Sequence, residues 1–206
     1  MSFQRFAVKL CGLVLKAGGL RVLGRENIPE EQAVLVIANH LSYGDPPVLA
    51  QAFDFDMAYI AKEEFAQTGW TRRLFGALGA VFLKSGESDL SALRTVIGLL
   101  RGGRGVMIFP EGRRVREAEL APFKQGASYI AHKTGVKVIP VALINTADFF
   151  RIWKRNIIVN VGQPIELDST AKADPAKLAA YTALFERRVG ELYAECKDIL
   201  RAEGKL

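Results

Sequence analysis

Ala33-Val34-Leu35-Val36-Ile37-Ala38, followed without a spacer by Asn39-His40-Leu41-Ser42-Tyr43-Gly44-Asp45, carries the strongest fold signal in this chain. A short apolar run rich in β-branched residues reads as a strand. In open α/β sheets ligands gather beyond the carboxyl ends of strands, so a polar turn in that place is a candidate site. Working outward, similar apolar runs recur at Met57–Ala61, Ala80–Leu83, Val106–Phe109, Val138–Ile144 and Ile157–Val161. Helical stretches fall between and after them: Phe65 to Leu78, Leu90 to Leu100, and Pro175 to about Glu203, the last opened by Asp174-Pro175 as N-cap and first-turn proline. The alternation predicts an α/β fold, a single-domain layered sheet of about six or seven mostly parallel or mixed strands flanked by helices.

Length agrees with one domain: 206 residues, half of them hydrophobic and 24% charged, suffice for a full core and are too apolar for a disordered chain. No repeat or low-complexity linker divides the sequence. Lys and Arg outnumber Asp and Glu by 28 to 22, a net charge of +6, which suits an anionic partner. Nucleic acid is not the expected one, because zinc-finger spacing, an RRM signature and a basic region with heptads are all missing. No GxxxxGK[ST] or GxGxxG loop occurs, and two histidines without a cysteine or acidic cluster give no expectation of a metal. Cys11 and Cys196 form no CxxC or disulfide framework, which fits a reducing, cytosol-facing compartment.

Residues 1–20 are expected to form an amphipathic helix at a membrane interface, with 21–206 as the remaining domain. A helix over residues 3 to 18 is roughly 24 Å long, short of a hydrocarbon core of about 30 Å. At about 100° per residue, Arg5, Lys9 and Lys16 share one arc, and Phe3, Phe6, Leu10, Leu13, Val14 and Ala17 the opposite one. Such a helix lies in the headgroup region of a membrane or packs on its own domain. The first reading implies a peripheral or monotopic protein on the cytoplasmic face.

Three polar segments follow directly on apolar strands: residues 39–45, Lys84-Ser85-Gly86-Glu87, and Pro110-Glu111-Gly112-Arg113-Arg114. Together they are expected to meet at one edge of the sheet. His40 and Asp45 pair a side chain suited to take a proton at neutral pH with a carboxylate able to fix its tautomer. Alone the pair is a weak signal, since most histidines are structural. The arginines after Glu111 and Gly112 present planar donor forks that match phosphate oxygens.

From about Leu23 to Ile165 the chain resembles the 1-acylglycerol-3-phosphate acyltransferases and related glycerolipid acyltransferases. Asn39-His40-x4-Asp45 matches the family's NHxxxxD motif, and Lys62-Glu63-Glu64-Phe65 resembles its KxEL-like segment. Gly79-Ala80-Val81-Phe82-Leu83 resembles the start of GxxFxxR, Phe109-Pro110-Glu111-Gly112 is FPEG, Phe123-Lys124-Gln125-Gly126-Ala127 resembles FKxGA, and Val138-Ile139-Pro140-Val141 the final VxPV. The resemblance implies direct acyl transfer, from acyl-CoA or acyl carrier protein to the free hydroxyl of a lysophospholipid acceptor, 1-acylglycerol-3-phosphate foremost. No cofactor and no covalent intermediate are implied. His40 would be the general base and Asp45 its partner. Lys62 is a candidate donor to the thioester oxyanion, with a plain surface lysine as the other reading. Glu111, Gly112, Arg113 and Arg114 would bind the acceptor phosphate, with Lys84 and Ser85 as further candidates. Ser85 stands where the family usually has Arg, which leaves the acceptor less secure than the reaction; Arg113 or Arg116 is the expected substitute for that charge. Other readings are a different lysolipid acceptor or a non-catalytic membrane lipid-binding protein. His132 is expected to be a partly exposed structural histidine, and Trp70 and Phe75 to pack in the core or line an acyl channel.

Overall fold

Seven strands form one sheet in the order β1-β7-β6-β2-β5-β3-β4. They are β1 (Arg21–Leu23), β2 (Leu35–Ala38), β3 (Met57–Lys62), β4 (Ala80–Leu83), β5 (Gly105–Ile108), β6 (Val138–Ile144) and β7 (Ile158–Val161). The helices are α1 (Phe3–Ala17), α2 (Asp45–Leu49), α3 (Gly69–Ala77), α4 (Asp89–Arg101), α5 (Gly126–Thr134) and α6 (Pro175–Ala202). This computed structural model describes residues 3–17, 19–66, 68–83, 89–115, 120–146, 156–169 and 174–205. Every neighbouring pair of strands is parallel except β6 with β7, so β1 and β7 run against the other five.

The expected mixed α/β sheet is what the chain forms, and the pleat explains its apolar runs. Val34, Val36 and Ala38 point into one core while Leu35 and Ile37 point into the other. A strand buried on both sides has no polar face to alternate with. The first core lies under α1 and α2, with Leu15, Val48 and Leu49 among its members. Across the sheet, α4, α5 and α6 supply Val96, Leu100, Ile130, Phe185 and Val189. Helix α6 docks along Phe185, Val189, Tyr193, Cys196 and Leu200, a seam at i+3 and i+4 spacing that is buried throughout. Asp174 caps it as expected, accepting from the Lys177 N–H at 2.8 Å. Burial pushes the Cys196 thiol up to about 12, so it stays protonated as an apolar filler.

Several boundaries differ from expectation for local reasons. Strand β1 is three residues long, too short to show a pattern. Helix α2 arises in the stretch read as a turn, because Pro46 and Pro47 occupy a first turn that has no use for their missing N–H groups. Helix α3 starts at Gly69 rather than Phe65: Thr68 and Thr71 form a reciprocal cap there, and Glu63–Ala66 close a separate 3-10 turn. None of its residues is buried, and Trp70 is 71% exposed, so Trp70 is not core. His132 is buried rather than partly exposed, its ring tilted against Tyr181.

Helix α1 docks through a seam different from its apolar arc. Val8, Gly12 and Leu15 face the domain, and a Cβ on Gly12 would come within 2.1 Å of Gln51 Oε1. Gln51 holds the helix by donating to the Val8 carbonyl at 2.8 Å. At about 100° per residue, Phe6, Leu10 and Leu13 lie roughly opposite that seam, and all three are exposed, Leu13 at 72%. Among the described residues no helix is long and apolar enough to cross a membrane.

Candidate active site

Strands β2 and β5 are neighbours, and their carboxyl ends deliver the first and third polar segments to the same place. Asn39 extends the pairing past the last β2–β6 rung: its side chain donates to the Leu143 carbonyl at 2.9 Å and accepts from the Leu143 N–H at 2.7 Å. That fully buried amide pins the start of the turn, so His40 leaves the sheet from a fixed point.

The His40 ring donates from Nδ1 to Asp45 Oδ2 at 2.6 Å. The same oxygen accepts from the backbone N–H groups of Leu41 at 2.7 Å and Ser42 at 2.8 Å. Ser42 Oγ lies 3.3 Å from Oδ1 and donates to the Thr146 carbonyl at 3.0 Å. Asp45 is completely buried while the His40 side chain keeps 19% of its surface open. A carboxylate on Nδ1 leaves the lone pair on Nε2, for which the described residues offer no hydrogen-bond partner. Phe109, at the end of β5, stacks on the imidazole with centroids 4.2 Å apart and planes 18° apart, which restricts ring rotation. Its role was legible only as part of FPEG, because stacking is a tertiary relation.

Glu111 corrects an expectation. Its carboxylate does not face outward toward an anion: Oε1 accepts from the His40 N–H at 2.9 Å and Oε2 from the Ala121 N–H at 3.3 Å. The side chain is buried, and desolvation raises its pKa, partly offset by those two N–H bonds. Glu111 therefore shapes the turn and supports the His40 backbone. The Val115 N–H donates to the His40 carbonyl at 2.7 Å, so the segment wraps around the histidine from both sides.

Gly112 is exposed and left-handed, φ 68°, and Arg113 is exposed beside it. Arg114 lies over the Tyr43 ring, 3.6 Å from its centroid, so the turns after β2 and β5 also meet through a cation–π contact. Lys62 ends β3, next to β5, with its side chain outside what is described. The second polar segment follows β4, which is separated from β5 by β3; Lys84 and Ser85 lie outside the described residues, as does Arg116.

Comparison with known proteins gives the family of the chain. The profile of the family described as Acyltransferase matches residues 19–144, which include His40, Asp45 and Glu111. The chain is 33% identical over 162 residues to the 1-acyl-sn-glycerol-3-phosphate acyltransferase of Borreliella burgdorferi, covering 78% of this chain and 64% of the relative. It is 28% identical over 194 residues to the Bacillus subtilis protein of the same name, covering 89% of this chain and 96% of that one. The chain thus spans about three-fifths of the Borreliella relative and of a Mycoplasma pneumoniae relative of which it covers 58%, but nearly all of the Bacillus one. The crystal structure of the 1-acyl-sn-glycerophosphate acyltransferase PlsC from Thermotoga maritima superimposes with a TM-score of 0.69 at 30% identity, over 93% of this chain and 78% of that one. With the family profile spanning most of the sheet and the His40–Asp45 pair at its carboxyl edge, the chain belongs to the acyltransferase family.

Proposed function

We propose that this protein moves a fatty acyl group from a thioester, acyl-CoA or an acyl carrier protein, to the free hydroxyl of 1-acylglycerol-3-phosphate, giving phosphatidate. The observation that carries the proposal is the 2.6 Å contact between His40 Nδ1 and a buried, backbone-fixed Asp45, with Nε2 free to accept a proton at an open edge. Nε2 takes the acceptor's hydroxyl proton as the oxygen attacks the thioester carbonyl. The tetrahedral intermediate collapses with loss of the thiolate, which the imidazolium protonates. No acyl-enzyme forms, and the step needs no metal or cofactor.

Asp45 holds the ring's tautomer and stabilises the imidazolium as it forms. Lys62, at the adjacent end of β3, is the donor assigned to the oxyanion. Arg113 and Arg114 meet the acceptor's phosphate while Glu111 keeps their turn in place. The exposed apolar arc of α1, with Arg5 and Lys9 beside it, and the exposed Trp70 and Leu74 of α3 support attachment to a membrane surface, and the reading places the protein on the cytoplasmic face, where both substrates are met.

The test is thiol release from acyl-CoA with lysophosphatidate in liposomes. Wild type should turn over, and His40→Ala should lose about 10²–10⁴-fold in kcat, the usual contribution of a positioned base. Turnover that survives the substitution would remove His40 from the chemistry. Release with a different lysolipid alone would keep the mechanism and replace the acceptor.

A further inference from the structure

Lys124 lies beside the turn that follows β5 without belonging to it. Its backbone N–H donates to the Pro110 carbonyl at 2.9 Å, and the preceding Phe123 N–H donates to Glu186 Oε2 at 3.0 Å. Its side chain then runs across Gly112: a Cβ built there would sit 2.7 Å from both Cε and Nζ of Lys124 and 3.1 Å from Cδ. Gly112 is left-handed, φ 68°, so this position disfavours any other residue on two counts. The ammonium fills the space where a side chain would stand.

The charges around it are unbalanced among the described residues. Among the described residues no carboxylate forms an ion pair with Lys124, Arg113 or Arg114, and Glu111 is turned inward onto two backbone N–H groups. Arg114 is held against Tyr43, and the Val115 N–H bonds the His40 carbonyl, so the turn that carries Arg113 and Arg114 runs beside the histidine. A planar guanidinium two residues along the turn and a compact ammonium lying against Gly112 suit a phosphate monoester dianion, one giving a fork of donors and the other a point charge.

We propose that Lys124, lying against Gly112, is a phosphate ligand of the acceptor site, acting together with Arg114 of the same turn as Gly112. This rests on the lysophosphatidate reading above. The same chemistry also fits the phosphates of a CoA donor, so the experiment separates the two sources.

Steady-state rates are measured for lysophosphatidate and for phosphate-free monoacylglycerol, and the donor's KM is measured alongside. Equilibrium binding of a short-chain lysophosphatidate gives a readout independent of turnover, and thermal unfolding checks that each variant is folded. Lys124→Gln should lower the ratio of kcat/KM for lysophosphatidate over monoacylglycerol about tenfold or more through KM, as loss of a charge-assisted contact does. Lys124→Arg should recover much of that preference. Gly112→Ala should imitate Lys124→Gln by displacing the ammonium, and the double variant should be little worse than either.

An unchanged ratio in folded Lys124→Gln, or an equal loss with both acceptors, would overturn the proposal. A rise in KM for acyl-CoA alone would also overturn it and assign Lys124 to the donor. Wild type that binds lysophosphatidate through Lys124 but transfers nothing would refute the acyltransfer reading and leave the clamp standing. An active enzyme indifferent to Lys124→Gln would refute the clamp alone.

Discussion

Glu111 is the residue on which the site's backbone depends, because its two carboxylate oxygens serve two N–H groups from separate segments, His40 and Ala121. In Glu111→Gln one of those donors faces an NH₂ group, and an unsatisfied buried donor costs about 1–3 kcal/mol. Urea denaturation should show that loss, with reduced turnover because the His40 backbone is released. The carboxyl also sets a pH dependence of known sign. Burial raises its folded pKa, so between the ordinary carboxylate value and the raised one the folded state holds a proton that the unfolded chain has lost. Its contribution to stability therefore falls as pH rises through that window. Glu111→Gln should abolish this part of the pH profile, and a wild-type contribution that rises across the same window would contradict the assignment.

Two helices decide how the domain meets its surroundings. Helix α1 is attached by the narrow seam of Val8, Gly12 and Leu15, leaving Phe6, Leu10 and Leu13 pointing away. If that arc meets lipid, replacing Leu10 and Leu13 together by Glu should lower partitioning onto anionic vesicles about tenfold or more, since each leucine fully buried is worth about 1.5–3 kcal/mol. The melting temperature should stay close to wild type, because both side chains are largely exposed. Co-sedimentation with vesicles reads the first quantity and circular dichroism the second; a large drop in melting temperature would mean that the arc packs on protein instead. Helix α3 was legible as a helix, yet its start and its exposure were not: the Thr68–Thr71 cap is a local contest with the 3-10 turn before it, and Trp70 looks like a core residue until its neighbours are known.

The whole molecule is one sheet with a core on each face, so its unfolding should be a single cooperative transition. Phe185→Ala, deep in the core between α6 and the sheet, should lower its stability by about 3–5 kcal/mol in the same denaturation experiment. A transition that splits into two would separate the faces. The sequence by itself determined the strands from β2 to β7 and the layered class, because strand pleat and helix period are local properties of the chain, and it marked the His40–Asp45 pair through the ordered run of motifs that resembles the family's. Only the tertiary structure decided which polar segments meet. Residues 39–45 and 110–115 converge because β2 and β5 hydrogen-bond side by side, an adjacency between segments far apart in the chain. The same long-range placement turned Glu111 inward, stacked Phe109 on His40 and laid Lys124 over Gly112. Each of those contacts joins segments that the fold alone brings together, so no pattern along the chain encodes them.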